Sequence, residues 1–260
     1  MTTPSLLGRR ILVTRASHQA EELMELLRDR GAAPVSVPVM ELEPLLSPSE
    51  FQTMAEGIAR GRWQDVVFTS ANAVRLVLPE RPALGSGARI FAIGSGTAQA
   101  AAQLGWSVEP LPASFIAESL AELLLAAGVT GRRILLPRAE GARQLLPEAL
   151  AQAGAELEVV AIYRMRPDEA SRSRLDAALA APGLECIIFT SGSSVECFQA
   201  LRNGDSLGSQ LLVACIGPIT ARAAARAGLL PGLVAEQHSL PGLVAALERR
   251  LGPLPENGRS

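Results

Sequence analysis

The groups available for chemistry in this 260-residue chain are one tyrosine, two arginines that each close a strand-like run, and short side chains at strand-to-helix turns. Tyr163 is the single tyrosine, in "AIYRM", where a phenol can serve as hydrogen-bond donor or weak acid. Arg15 in "RRILVTRA" and Arg138 in "RRILLPRA" each sit just past an initial strand, positions at which a guanidinium fork can clamp a carboxylate. Four turns complete the set: Ser70 with Ala71 and Asn72; Gly94 with Ser95 and Thr97; Ser191 with Gly192 and Ser193; Gly217 with Ile219 and Thr220. Each sits where a helix begins and its first N–H groups lack intrahelical partners, an arrangement suited to carboxylates or phosphates. A single Ser or Thr in such a turn is most often an N-cap worth about 1 kcal/mol. Four such turns together point to a ligand bearing many acidic groups.

Other chemistries lack their parts. His18 and His238 are the only histidines, too few for a histidine zinc site or a comfortable Ser-His-Asp triad. Cys186, Cys197 and Cys215 are odd in number, form no CxxC and read as buried free thiols, so no metal is expected. "GSGTA" lacks the third glycine of a dinucleotide fingerprint, and its counterpart "GPITA" lacks the second, which argues against NAD. A formal charge of −2, with 19% charged residues of balanced sign, argues against nucleic acid. No apolar run is long enough to span a membrane, and "MTTPSLLGRR" lacks a signal-peptide core, so the expected location is the cytoplasm.

The elements that must carry these residues alternate. "RRILVTRA" is strand-like; Ser17 is placed to cap the next helix, whose Ala20, Leu23, Met24 and Leu27 fall on one face before Gly31 stops it. "DVVFTS" leads into "ANAVRLVL", "RIFAIG" into "SGTAQAAAQLG", and "SVEPL" into "FIAESLAELLLAAG". Strand and helix in alternation call for parallel sheets covered on both faces. The text then restarts: "RRILLPRA" echoes "RRILVTRA", "CIIFTSGSSV" echoes "DVVFTSANAV", and "LVACIGPITARAAARAG" echoes "RIFAIGSGTAQAAAQLG". Echoes in conserved order imply two similar α/β domains. The tail "GPLPENGRS" is expected to fray.

Two segments exceed one strand's needs, "PVSVPVMELEPL" and "ELEVVAIYRMRP". The economical reading is that both cross between domains and pair as a two-stranded connector, at about 38–44 and 161–167. Domain 1 would then be residues 1–38 and 167–260, and domain 2 the insertion 39–166. Two sequential domains meeting near Gly131 is the alternative. With the domains facing one another, the four turns would surround one cleft.

In "FTSANAV", "IGSGTA", "LLPRAEGARQLLPEAL", "VAIYRM", "FTSGSSV" and "IGPITARA", in this order and spacing, the chain resembles the uroporphyrinogen-III synthase family over nearly its full length. The resemblance implies a flavodoxin-like, HemD-like fold: two similar α/β domains, with parallel sheets flanked by helices, joined by a two-stranded β-ladder. It implies as substrate hydroxymethylbilane, a linear tetrapyrrole polycarboxylate, and no metal or organic cofactor. The reaction it implies is loss of the terminal hydroxyl to an azafulvene, attack by the substituted carbon of ring D, and a spiro intermediate that rejoins with that ring inverted. Tyr163 then matches the tyrosine that assists hydroxyl departure. Thr220, Thr97, Ser70 and Ser191 match hydroxyls that line the family's cleft. Asn72 stands where some relatives carry Arg, and Ile219 where others carry a hydroxyl, so backbone contacts matter more there. The chain reads as a monomer with no nucleic-acid or membrane partner. A two-lobed protein that binds an acidic small molecule without chemistry is the competing reading.

Overall fold

The computed structural model describes residues 5–77, 88–202, 207 and 211–252. The first half runs β1 (Arg10–Val13), α1 (Ser17–Asp29), β2 (Ala33–Ser36), β3 (Met40–Pro44), α2 (Pro48–Ala59), β4 (Asp65–Phe68), α3 (Ala71–Val77), β5 (Arg89–Ala92), α4 (Ser95–Gln103) and α5 (Ala117–Ala126). The second runs β6 (Arg133–Ala139), α6 (Leu145–Gln152), β7 (Glu156–Pro167), α7 (Arg172–Ala180), β8 (Leu184–Phe189), α8 (Gly192–Leu201), β9 (Leu212–Cys215), α9 (Pro218–Arg226), β10 (Pro231–Val234) and α10 (Leu240–Leu251). The chain separates into two compact units. Unit 1 comprises Met1–Glu41 and Met165–Ser260; unit 2 is Leu42–Arg164.

Unit 1 holds a parallel sheet in the order β10-β9-β8-β1-β2. Neighbouring residues of a strand point to opposite faces, and both faces here are apolar. Leu12, Ile187 and Phe189 pack into one core with Val195 and Phe198, while Ile11, Val13, Cys186 and Ile188 pack into another with Leu23, Leu27, Leu243 and Leu247. A sheet buried on both sides must be covered by helices on both sides, which is the α/β architecture that the alternating sequence called for.

Unit 2 repeats the arrangement with its chain order rotated. Its sheet runs β3-β7-β6-β4-β5, in which β7, β6, β4 and β5 are mutually parallel and occupy the places of β2, β1, β8 and β9. Val67, Phe91, Ile134 and Leu136 meet Leu120, Leu124, Leu146 and Leu150 in its core. The fifth place differs. "SVEPL" forms no strand: Glu109 N–H bonds Ile90 O at 2.8 Å, but Pro110 and Pro112 supply no donors to continue a ladder. Instead β3 joins the opposite edge against β7. Leu45 N–H donates to Ile162 O and Asp168 N–H to Val39 O, so the two strands run antiparallel. Arg164–Glu43 at 2.6 Å and Arg166–Glu41 at 3.0 Å flank that ladder.

Other details also depart from the sequence reading. The long run after α1 is two strands, because Val37 to Val39, centred on Pro38, breaks it into β2 in the first sheet and β3 in the second. Ser17 is the first helical residue of α1 and Ala16 its N-cap; Gly31, at φ 82°, does end that segment. The sequence reading lacked α2, although Ser47 and Glu50 form a reciprocal capping box ahead of it. The tail from residue 253 lies outside the described residues.

Candidate functional site

In open α/β sheets, ligands collect at the carboxyl ends of the strands where the strand order reverses. In unit 2 that point lies between β6 and β4, and Tyr163 arrives beside it by an irregular register. Arg138 pairs with Ala161 but Ala139 pairs with Tyr163, leaving Ile162 as an extra residue in β7. Such a bulge re-aims the side chains next to it. The Tyr163 ring is buried, and its hydroxyl lies 3.0 Å from Ser70 Oγ. Ser70 Oγ in turn accepts from Ala73 N–H at 3.1 Å, so this serine holds the start of α3 and touches the phenol with one oxygen. Ala71 and Asn72, the first residues of α3, are half-buried beside it.

The next turn of the same edge belongs to α4. Ile93 N–H bonds Phe68 O, which sets the ends of β4 and β5 side by side. Gly94 is the N-cap of α4 and offers no side-chain cap; Ser95 is exposed and Thr97 buried. A Cβ at Gly94 would stand 2.9 Å from the Phe115 ring, so an exposed aromatic lies over this turn and requires a glycine beneath it.

Arg138 is 5% exposed and donates through Nη2 to Arg143 O at 2.8 Å. Among the described residues no carboxylate pairs with it, and burial pushes its pKa below the usual arginine range. It lines a cavity of about 130 Å³ with Thr69, Ile93, Ala117, Leu136, Ala142, Arg143 and Leu146.

Unit 1 gathers the other candidates at its own reversal, between β1 and β8. Thr14 Oγ1 donates to Ile188 O at 2.8 Å and bridges the two strands there. Arg15, the counterpart of Arg138, is half-buried; desolvation lowers its pKa and the charge of Glu22 opposes that shift. Ser191 is the N-cap of α8, accepting from Ser194 N–H at 3.1 Å, so here the capping role is realised. Gly192 and Ser193 open that helix, half-buried. Gly217 is the uncapped N-cap of α9, Ile219 is exposed and Thr220 buried. A Cβ at Gly217 would meet the His238 ring at 3.1 Å, as one at Gly94 meets Phe115. Thr97 and Thr220 are thus the third residues of two matching helices, and neither hydroxyl has a hydrogen-bond partner among the described residues.

The candidates therefore form two groups. Ser70, Ala71, Asn72, Gly94, Ser95, Thr97, Arg138 and Tyr163 belong to unit 2; Arg15, Ser191, Gly192, Ser193, Gly217, Ile219 and Thr220 belong to unit 1. Thr69, Phe115 and His238 were not singled out from sequence. The latter two could have been found, since "SFIAES" and "EQHSLPG" occupy matching places in the repeat.

The amino ends of the strands hold structural charge. Asp65, fully buried, receives Arg89 Nε and Nη2 at 2.7 and 2.8 Å and Arg132 Nε and Nη2 at 2.6 and 2.7 Å. Burial alone would raise its pKa, but the hydrogen bonds and charges of the two guanidiniums outweigh it and hold the carboxyl below the usual range. In unit 1, Arg9 pairs with Glu185 at the corresponding edge. Burial pushes the thiols of Cys197 and Cys215 up to about 11, and that of Cys186 further, so none is reactive at neutral pH. Among the described residues there is no group of three or more His, Cys, Asp or Glu that could hold a metal ion, and no helix is long and apolar enough to cross a membrane.

Comparison with known proteins gives the same direction. Residues 21–245 match the family model described as uroporphyrinogen-III synthase HemD. The chain is 32% identical to a uroporphyrinogen-III synthase of Synechococcus elongatus, over 96% of this chain and 98% of that one. It is 26% identical to one from Chlorobaculum parvum, over 93% and 98%. Its fold is shared with the crystal structure of uroporphyrinogen-III synthetase from Helicobacter pylori, with TM-score 0.65 and 19% identity over 94% of this chain and 99% of that chain. A Thermus thermophilus mutant enzyme gives TM-score 0.61 and 23% identity over the same shares. A match of that extent establishes that the chain belongs to the uroporphyrinogen-III synthase family.

Proposed function

We propose that this chain cyclises hydroxymethylbilane to uroporphyrinogen III, inverting ring D with loss of water. The observation that carries the mechanism is the contact between Tyr163 and Ser70. Ala73 N–H occupies an acceptor position on Ser70 Oγ, which leaves the serine proton free to point at the phenol oxygen. The Tyr163 proton is then available to the departing hydroxyl of the substrate. The hydroxyl leaves as water, and the serine O–H supports the oxygen that has given up its proton. The azafulvenium that results, whose pyrrole N–H proton can return to the phenolate, is the electrophile for ring D.

Closure to the unflipped isomer needs no enzyme, so the larger task is to hold the folded conformer that leads to inversion. The uncapped turns at Gly94 and Gly217, with Ser95, Thr97, Ile219 and Thr220, offer backbone N–H groups and hydroxyls to acetate and propionate arms. Ser70, Ala71, Asn72, Ser191, Gly192 and Ser193 extend that set, and Arg15 adds charge. Each helix-terminus contact contributes about 0.3–1 kcal/mol, so the arms are held by many weak contacts together. We place the activity in the cytoplasm and in a monomer.

The test supplies hydroxymethylbilane to the purified chain and separates the product isomers. Uroporphyrinogen III in excess over the spontaneous isomer is the expected result. Bound substrate that yields the unflipped ring alone would make this a binding protein, the reading that family membership disfavours.

A further inference from the structure

We infer that the cavity at Arg138 is a subsite for one carboxylate arm of the substrate, entered end-on, with Arg138 as the counter-ion that the fold leaves unsupplied. This rests on the proposed reaction for the identity of the arm and on the geometry of unit 2 for the site. Arg138 is 5% exposed, yet one backbone carbonyl, Arg143 O, is the only hydrogen-bond partner of its guanidinium among the described residues. A guanidinium carries five N–H donors, and a buried one is ordinarily matched by a carboxylate. The buried charge elsewhere in this unit obeys the rule: Asp65 receives two complete forks. The equivalent arginine of unit 1, Arg15, has the charge of Glu22 opposing its desolvation. Arg138 faces a cavity.

That cavity lies at the reversal of strand order between β6 and β4, lined by Arg138 of β6 and by Thr69 just past β4. Ile93, Leu136 and Leu146 give it apolar walls, and Ala142 is small enough to leave it open. Pockets that enclose whole ligands run to about 300–1,000 Å³; this one, at about 130 Å³, suits a substituent. Apolar walls with a cation among them match a short methylene stem ending in a carboxylate. The same chemistry describes acetate and propionate arms, and the probes separate them.

The first measurement titrates the apo protein with sodium propionate, sodium acetate and neutral propionamide at matched ionic strength, following arginine Nε–H resonances by NMR. A saturable shift of one resonance at millimolar carboxylate, missing in Arg138→Met and not produced by propionamide, is expected; the acid that binds tighter names the arm. No shift of that resonance, or an equal shift with propionamide, overturns the proposal. The second measures turnover of hydroxymethylbilane. Arg138→Met and Ala142→Phe, which fills the space and leaves the arginine in place, should each raise KM about tenfold or more, with kcat changing much less and Arg138→Lys intermediate. An unchanged KM in Ala142→Phe overturns the subsite even where Arg138→Met fails to fold. A wild-type protein that still makes the inverted isomer then keeps the proposed reaction intact. Conversely, carboxylate binding lost on Arg138→Met in a protein that makes only the unflipped isomer keeps the subsite and removes the reaction.

Discussion

Tyr163 and Ser70 are 93 residues apart in sequence, and their 3.0 Å contact turns two ordinary side chains into a donor pair. Tyr163→Phe removes the proton that the departing hydroxyl requires, and positioned acids contribute about 10²–10⁴-fold. The expected outcome is a fall in kcat of about 10²-fold or more, with the unflipped isomer dominating the product. Ser70→Ala removes support for the phenol and an N-cap, and should lower turnover only several-fold while costing about 1 kcal/mol in urea denaturation. Equal rates for Tyr163→Phe and wild type would take the phenol out of the reaction. Both residues were legible in the sequence, one as the single tyrosine and one as a turn hydroxyl. Their contact was not, because it depends on an extra residue in β7 that no local pattern announces.

The strands divide their labour by end. At the carboxyl edges the helix starts at Gly94 and Gly217 go uncapped and Arg138 lacks a carboxylate partner among the described residues; at the amino edge of unit 2, Asp65 binds β4 to Arg89 at the start of β5 and to Arg132 just before β6. Breaking a buried ionic cluster by removing one partner costs about 3–5 kcal/mol, and Asp65→Asn should lose stability on that scale in denaturant unfolding at neutral pH, with its fold retained. The pH dependence has a definite sign. A carboxyl whose pKa is lower folded than unfolded gives its full stabilisation above the unfolded value, near 3.9, and loses it as pH falls through the folded value. Wild type should therefore weaken below about pH 4, and Asp65→Asn should lack that share of the acid sensitivity. This cluster escaped sequence reading because an Asp opening a strand resembles any exposed strand end. The paired strands and helices were legible, since buried parallel strands leave unbroken apolar runs. Element edges at Pro38 and in "SVEPL" were less so, because a proline decides them only in the context of neighbouring strands.

At the scale of the molecule, the repeat in the sequence was the strongest single signal, and the two sheets explain it: four strands of each occupy the same spatial places with the chain order rotated. That rotation follows from the route of the chain, which leaves unit 1 after Glu41 and returns at Met165. β1 has β8 as its inner neighbour, with Val13 against Ile188, so the first strand made is completed by one made much later. On a ribosome adding about 5–20 residues per second, β1 and β2 must wait on the order of ten seconds or more for their partner. Unit 2 emerges whole in that interval and is free to fold first. Nascent chains arrested with residues 1–164 outside the exit tunnel should resist brief protease treatment across 42–164 while the amino-terminal segment is cut. Protection of both segments at that length would show that β1 does not wait. A synthesis pause or a chaperone that shields the leading forty residues would therefore matter more to the yield of this protein than anything acting on the segment that follows them.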